Sequence, residues 1–332
     1  MFNNSTILIT GGTGSFGNKF VEMTLRKYKP KKILIYSRDE MKQWDMSLRY
    51  NNEKKIKFII GDVRDKERLI RALDKVDYVV HAAATKIVPT AEYNPFECVK
   101  TNIIGAMNVI NACTESKIKK VIALSTDKAS NPINLYGASK LASDKLFVAG
   151  NSNEKTHSTI FSVVRYGNVM GSRGSVIPYF LDMVKTGKLT ITDKRMTRFM
   201  ISLEEAISLV WEAFQDMKGG EIYVKKIPSM TIMDIAKAVA PKAKYKMIGI
   251  RPGEKIHEQM IGFEDAPHTY EYKKYYKILP AIYGWSKETS RIKKGIKVKS
   301  TFTYDSHNNK DRMSVKELSS WITKYKKEKN KV

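Results

Sequence analysis

Thr6-Ile7-Leu8-Ile9-Thr10-Gly11-Gly12-Thr13-Gly14-Ser15-Phe16-Gly17 is the stretch that decides the fold. A short apolar run feeds a glycine-rich turn, and an amphipathic pattern, Phe16–Lys27, follows at once. Each glycine has a separate task. Gly11 permits the tight turn, Gly14 lets backbone approach a pyrophosphate, and Gly17 lets helix and strand pack closely. The anion then rests on free N–H groups at the helix N-terminus. Glycine-rich turns are common, and an ordinary tight turn is the alternative. The position, on the first strand–helix turn of a βαβ pattern, is the context that dinucleotide binding requires.

Outward from this turn the rhythm repeats. Apolar runs at Thr6–Thr10, Lys32–Tyr36, Ile56–Ile60, Tyr78–His81, Lys120–Leu124 and Thr159–Val164 predict strands. Helical patterns lie at Phe16–Lys27, Lys66–Leu73, Pro95–Ser116 and Tyr136–Ala149. Strands that alternate with helices predict an α/β fold, a Rossmann-type doubly wound parallel sheet whose ligands sit beyond the carboxyl ends of the strands. After Arg165 the pattern changes to helices at Val176–Thr186, Leu203–Gln215 and Met233–Val239 among short strands and polar loops. The expected division is a dinucleotide-binding domain over 1–167 that also carries the catalytic residues, a smaller mixed substrate-binding region over 168–322 partly interleaved with the sheet, and a solvated basic tail over 323–332.

The second strand ends at Tyr36-Ser37-Arg38. An NAD enzyme usually places a carboxylate there for the ribose 2′-hydroxyl. A hydroxyl and a guanidinium fork suit a 2′-phosphate instead, which favours NADP over NAD. Asp39 follows immediately, and a plain surface cation is the other reading of Arg38. Asp62-Val63 and His81-Ala82-Ala83-Ala84 end the third and fourth strands, where they meet a cofactor or simply pack.

The formal net charge of +25 is spread along the chain, and no DNA- or RNA-binding motif accompanies it, so no specific nucleic-acid partner is expected. Cys98 and Cys113 have no CxxC or Cys/His company and read as small buried hydrophobes in a reducing compartment. His257 and His307 lack metal-ligand spacing, and no metal site is expected. Met1–Ser5 has no secretory-signal pattern and no apolar run is long enough to span a bilayer, so a cytoplasmic location without membrane association is expected.

Chemistry enters after the fifth strand, with Ser125-Thr126-Asp127-Lys128 and then Tyr136-Gly137-Ala138-Ser139-Lys140. A tyrosine and a lysine four apart share a helix face. An ammonium lowers a neighbouring phenol's pKa, so that Tyr136 can take a proton from a substrate hydroxyl. A surface helix pair is the alternative reading of these two, and a surface ion pair that of Asp127 and Lys128.

With the glycine turn and Thr126, these residues resemble the extended short-chain dehydrogenase/reductase superfamily, and within it the configuration-inverting UDP-N-acetylglucosamine 4,6-dehydratases, which begin a pseudaminic acid route. The resemblance extends through Ala91-Glu92-Tyr93-Asn94-Pro95, Asn131-Pro132, Arg165-Tyr166-Gly167-Asn168-Val169, Gly171-Ser172-Arg173-Gly174-Ser175, Arg195-Met196-Thr197-Arg198-Phe199 and Arg251-Pro252-Gly253-Glu254-Lys255. Epimerases of the superfamily usually have small residues where this chain has Asp127-Lys128, and related 4,6-dehydratases carry Asp-Glu.

The resemblance implies a homo-oligomeric lyase that recycles its NADP internally and acts on a UDP-linked sugar. It implies that Tyr136, supported by Lys140 and Thr126, deprotonates the C4 hydroxyl. Lys128, made partly neutral by desolvation and a neighbouring cation, then removes the C5 proton, and Asp127 protonates the departing C6 hydroxyl. Implied cofactor contacts are Gly11, Thr13, Gly14, Ser15, Phe16, Gly17, Ser37, Arg38, Lys42, Asp62, Val63, Ala82, Ala84, Thr101, Tyr136, Lys140 and Val169. Implied substrate contacts are Lys86, Asn168, Arg173, Gly174, Ser175, Val176, Arg198 and Arg251, with an interdomain salt bridge as the alternative for any of the arginines. Two positions depart from the family, Ile87 where histidine is frequent and Met200 where tryptophan is usual, and both are expected near the sugar pocket. A 4-epimerase, or a dehydratase of another UDP-sugar, is the competing reading.

Overall fold

The computed structural model describes residues 1–51, 53–152 and 159–329. Its first half alternates β1 (Thr6–Thr10), α1 (Ser15–Lys27), β2 (Lys32–Ser37), α2 (Glu40–Arg49), β3 (Ile56–Ile60), α3 (Lys66–Ala72) and β4 (Tyr78–His81). Next come α4 (Val88–Tyr93), α5 (Pro95–Val99), α6 (Gly105–Glu115), β5 (Lys120–Leu124), α7 (Leu135–Ala149) and β6 (Ile160–Arg165). The second half holds β7 (Asn168–Val169), α8 (Val176–Met183), β8 (Lys188–Ile191), β9 (Thr197–Ile201), α9 (Leu203–Asp216), β10 (Ile222–Lys225), β11 (Ser229–Thr231), α10 (Ile232–Val239) and β12 (Lys244–Met247). It closes with β13 (Gln259–Ile261), β14 (Thr269–Glu271), β15 (Tyr275–Ile278), α11 (Thr289–Ile292), β16 (Ile296–Lys297), β17 (Tyr304–Asp305) and α12 (Val315–Lys329).

The main sheet has ten strands in the order β16-β14-β15-β10-β6-β5-β4-β1-β2-β3. The run from β3 to β10 is parallel throughout, whereas β15, β14 and β16 are antiparallel additions. This is the doubly wound fold expected from the sequence. Strand order reverses between β1 and β4, so the crevice for a ligand opens there. Gly11, at φ +64°, closes the turn after β1 against the end of β4, where an added Cβ would lie 2.9 Å from Ala83 backbone. A β-carbon on Gly17 would sit 2.1 Å from the Gly12 carbonyl oxygen, so only glycine allows α1 to leave the strand at this angle.

Three local expectations are revised. Pro95–Ser116 reads as one helix, but a π-helical turn, Lys100–Ile104, separates α5 from α6. Helix α2 escaped the pattern search because it buries only Gln43 and Met46 and exposes Met41, Trp44 and Leu48. The basic tail, expected only as solvated, is also helical over its described part, with Lys324, Lys326 and Lys327 exposed. Residues 323–329 continue α12, which buries Leu318 and Ile322 one turn apart, packs against α10 and starts at a Ser314–Glu317 cap. Asn330, Lys331 and Val332 lie outside the described residues.

A second apolar cluster, including Ile177, Phe180, Leu189, Met230, Ile235 and Leu318, forms apart from the core beneath the main sheet. Met200 belongs to it at 1% exposure and pairs across the β7–β9 ladder with Asn168, so this departure from the family pattern is a packing residue directly behind a residue of the site. Ile87 is exposed, and the space above Gly174 opens onto its side chain.

Candidate active site

Strand β5 delivers Ser125 and Thr126 to the carboxyl edge of the sheet. The Thr126 hydroxyl caps a single 3₁₀ turn, Asp127–Ala129, by accepting from Lys128 N–H at 3.4 Å, and it donates to Asp127 Oδ1 at 3.0 Å. Helix α7 then starts at Asn134, whose Oδ1 accepts from Gly137 N–H at 2.7 Å. The two segments touch. A β-carbon at Gly137 would lie 2.2 Å from the Lys128 carbonyl oxygen, so this glycine permits the approach that sets Tyr136 beside the Asp-Lys turn.

Asp127 is fully buried. Its Oδ1 meets Lys128 Nζ at 3.0 Å, while its Oδ2 has no hydrogen-bond partner. The ammonium also contacts Asn168 Oδ1 at 3.4 Å and Glu258 Oε1 at 3.2 Å. Burial lifts the Asp127 carboxyl above the ordinary carboxylate range against the pull of Lys128, with Glu258 adding to the rise. Lys128 moves opposite to expectation. Burial pushes it down, but the charges of Asp127 and Glu258 outweigh that and leave it above an ordinary lysine. The expected cation neighbours exist, since Arg198 opposes the rise and Lys86 feels the Lys128 charge, yet the two carboxylates dominate.

Tyr136 and Lys140 share the buried face of α7. Burial pushes the Tyr136 phenol up to about 12, opposed by the Lys128 charge and a hydrogen bond with Thr126. Lys128, besides the Lys140 that the sequence pointed to, is thus a cation that acts on the phenol. Lys140 itself is pushed down by burial and supported by Asp144. That carboxylate is held by Ser125 Oγ at 2.7 Å and by buried Arg165 at 3.2 Å.

On the dinucleotide side, Gly14 is the N-cap of α1 and no side chain caps this helix, which leaves the amides of Ser15, Phe16 and Gly17 at its start. Thr13 and Ser37 are hydrogen-bonded at 2.9 Å. Arg38 is exposed and 3.6 Å from Asp62. Asp39 is engaged as the N-cap of α2, taking both the backbone N–H and the ammonium of Lys42. Val63 is buried against Gly105, Thr101 is buried in the π turn, Ala82 and Ala84 follow β4, and Val169 lies half-buried in β7. Cys98 and Cys113 are free and buried.

The structure gathers Thr126, Asp127, Lys128, Tyr136 and Asn168 into one cluster, with Lys140 one turn along α7 and Lys86 within the Lys128 field. It does not bring every expected substrate residue there. Arg198 reaches the cluster's edge, 3.8 Å from Glu258, while its guanidinium donates to the carbonyls of Thr197, Lys255 and Ile256, whereas exposed Arg251 is clasped by Glu254 at 2.9 Å. Arg173 N–H donates to Ser15 Oγ at 3.2 Å, so its loop, with Gly174, Ser175 and Val176, borders the glycine turn. Sequence reading missed two members. Glu258 is 2% exposed, and Lys255 donates to the Ser130 carbonyl at 2.8 Å. Both belong to the stretch that opens with the quoted Arg251–Lys255 motif, and an acidic residue just before apolar β13 was the available signal.

Comparison with known proteins agrees with this geometry. A family model described as "Polysaccharide biosynthesis protein" matches residues 7–280. The chain belongs to this family. A Campylobacter jejuni member, UDP-N-acetylglucosamine 4,6-dehydratase (inverting), is 56% identical over 325 residues, covering 96% of this chain and 97% of its own. A Rickettsia bellii protein named UDP-glucose 4-epimerase is 48% identical over 286 residues and 84% of each chain. Among solved structures, Pen from Bacillus thuringiensis superimposes with a TM-score of 0.89 at 35% identity, covering 97% of this chain and 99% of that one. No helix among the described residues of this family member is long and apolar enough to cross a membrane, and no group of three or more His, Cys, Asp or Glu among them could hold a metal ion.

Proposed function

We propose that the protein is a 4,6-dehydratase of UDP-N-acetylglucosamine, oxidising C4, removing water across C5 and C6 and inverting C5, to give a UDP-linked 4-keto-6-deoxy sugar that feeds a pseudaminic-acid-type route. The observation that carries this is the buried Asp127–Lys128 pair at 3.0 Å, capped by Thr126 and packed beside Tyr136. The 56% identity to the Campylobacter jejuni dehydratase supports the substrate.

The glycine turn fits a dinucleotide. Gly11 and Gly17 leave room only for backbone, and the uncapped start of α1 presents amides to a pyrophosphate. When bound, the nicotinamide supplies a reversible hydride acceptor. We read the cofactor as NADP, because Lys42 already neutralises Asp39, leaving Ser37 and Arg38 for a 2′-phosphate. Lys140 would meet the ribose.

Tyr136, hydrogen-bonded with Thr126 and facing the Lys128 charge, takes the C4 hydroxyl proton. The C4 ketone acidifies the C5 hydrogen. Lys128 enters charged, so it must first lose a proton. Transfer to Asp127 across the 3.0 Å contact turns the ion pair into an amine and a carboxylic acid without changing net charge. The amine then removes the C5 proton, and the acid protonates the departing C6 hydroxyl. Hydride return to C6, and a proton delivered to C5 on the face opposite the one lost, complete the 4-keto-6-deoxy product with inversion. Burial of Asp127, which lifts its carboxyl, favours this tautomer. Lys86 and Arg173, with Asn168 and the Gly174–Val176 turn, are positioned for the sugar diphosphate, and we read residues 168–322 as the substrate-bearing part.

The expected assembly is a homo-oligomer, and exposed Tyr93, Phe96, Ile104 and Met107 along α4–α6 are apolar surface that it would cover. The two free thiols fit a reducing, cytoplasmic setting.

The test is incubation with UDP-N-acetylglucosamine in heavy water, with mass spectrometry and NMR of the product. Loss of one water with deuterium at C5 is expected. The Rickettsia relatives favour a 4-epimerase, and a product of unchanged mass would establish that reading instead. Lys128→Ala should lose C5 exchange, and full exchange in that variant removes the lysine from the mechanism.

A further inference from the structure

Glu258 contributes to the Asp127–Lys128 pair from a segment remote in sequence. It lies on the segment between the Arg251–Lys255 motif and β13, whereas the pair sits at the end of β5. Its place is fixed by backbone. Glu258 N–H donates to Ser306 Oγ at 2.9 Å, and its carbonyl accepts from Ser306 N–H at 2.7 Å. Its side chain is 2% exposed, yet only Oε1 has a strong partner, Lys128 Nζ at 3.2 Å. The second oxygen, Oε2, is buried with no hydrogen-bond partner, as is Asp127 Oδ2 across the ammonium. Desolvating a carboxylate and leaving half of it unsatisfied is costly for a residue that only supports the fold.

We infer that Glu258 is a positioning residue that grips the Lys128 ammonium opposite Asp127, so that the amine and the acid address the same sugar ring from a shared anchor. The inference rests on the dehydration reading above. Lysine carries a flexible stem, and one carboxylate on an adjacent residue cannot fix where its nitrogen points. A second carboxylate from another segment, with Asn168 Oδ1 at 3.4 Å as third contact, confines it. Gly167 keeps the space beside Asp127 Oδ2 open, since an added β-carbon there would approach within 3.3 Å of that oxygen and within 2.3 Å of Phe199.

Glu258 also sets the charge balance. Lys128 faces it directly, and Arg198 (3.8 Å) and Lys255 from neighbouring segments hold its carboxyl below the ordinary range despite burial. Asp127 and Tyr136 complete the ionisable groups around the ammonium, with Lys86 beyond it. An ionised Glu258 raises both Asp127 and Lys128. Glu258→Gln keeps size and removes the charge, so the proton-donating acid and the proton-accepting amine both titrate at lower pH. The kcat–pH profile should therefore move as a whole to lower pH, by roughly one unit for a charge at ion-pair distance. The optimum kcat should fall by about tenfold to a hundredfold through lost alignment, with KM within about twofold.

The experiment measures kcat and KM for UDP-N-acetylglucosamine against pH in the wild-type protein, Glu258→Gln and Glu258→Asp, with thermal denaturation of each. Glu258→Asp keeps the charge and should return the profile toward wild type at a reduced rate. A Glu258→Gln profile superimposable on wild type, or a loss confined to KM or to melting temperature, overturns the inference. Should Glu258→Gln not fold, an unmoved Glu258→Asp profile with undiminished kcat overturns it equally. Wild-type protein that yields no dehydrated product fails the underlying reading, a result distinct from an active wild type with an unmoved variant.

Discussion

Lys128→Met removes the cation between two buried carboxylates while keeping most of the side chain's volume. Asp127 is fully buried and Glu258 is 2% exposed, so neither can turn to water for compensation. Deleting one partner of such a pair costs about 3–5 kcal/mol. Glu258 retains Arg198 at 3.8 Å, so the lower end, about 3 kcal/mol, is the appropriate figure. At roughly 2–4 °C per kcal/mol, the melting temperature at neutral pH should drop by about 6–12 °C. The pH dependence gives the sharper test. The Asp127 carboxyl already lies above its ordinary value in the folded protein, and Lys128 is what restrains it. Without the lysine it rises further, so the folded state binds a proton more tightly than the unfolded chain. A raised folded pKa contributes stability that is fully present below the unfolded value and is lost as pH rises through the folded value. The deficit of Lys128→Met relative to wild type should thus be largest at neutral and alkaline pH and shrink toward the carboxylate range. Paired thermal denaturation by circular dichroism at neutral and mildly acidic pH measures it. A deficit of equal size at both would show that the pair is not the buried electrostatic unit described here.

Three further outcomes follow from the same geometry. Tyr136→Phe should lower kcat by about a hundredfold to ten-thousandfold with an unchanged far-ultraviolet spectrum, because it removes the proton acceptor and little packing; steady-state assay of dehydrated product checks this. Gly137→Ala places a methyl 2.2 Å from the Lys128 carbonyl oxygen, so the turn must shift, and a loss of about 1–3 kcal/mol in urea unfolding together with reduced kcat is expected. On the proposed NADP reading, Arg38→Ala, which removes an exposed guanidinium 3.6 Å from Asp62, should raise the Kd for NADP by roughly tenfold while sparing NAD, as fluorescence titration would show.

The unequal legibility of fold and site has a physical cause. Strands β1, β4 and β5 begin and end where the apolar runs do, because central parallel strands are buried on both faces and turns must follow them at once. Gly11 and Gly17 were readable because their constraint is local, a backbone angle and a contact within six residues. Helix α2 was not, since it packs through Gln43 and Met46 and leaves its larger apolar residues in solvent, and no periodic signal survives that arrangement. The charges of the site fall between these cases. Thr126, Asp127, Lys128, Tyr136 and Lys140 lie within one strand–turn–helix unit, so sequence spacing alone brings them together. The upward shift of Lys128 comes first from adjacent Asp127 and next from Glu258, more than a hundred residues away, which arrives through β13 and its pairing with β17. A local motif can specify which groups meet, but the proton each one holds is decided by whatever the rest of the chain brings into the same low-dielectric space. Here that contribution is a carboxylate, which adds to Asp127 in holding Lys128 above an ordinary lysine where the sequence led to an expectation of a partly neutral one.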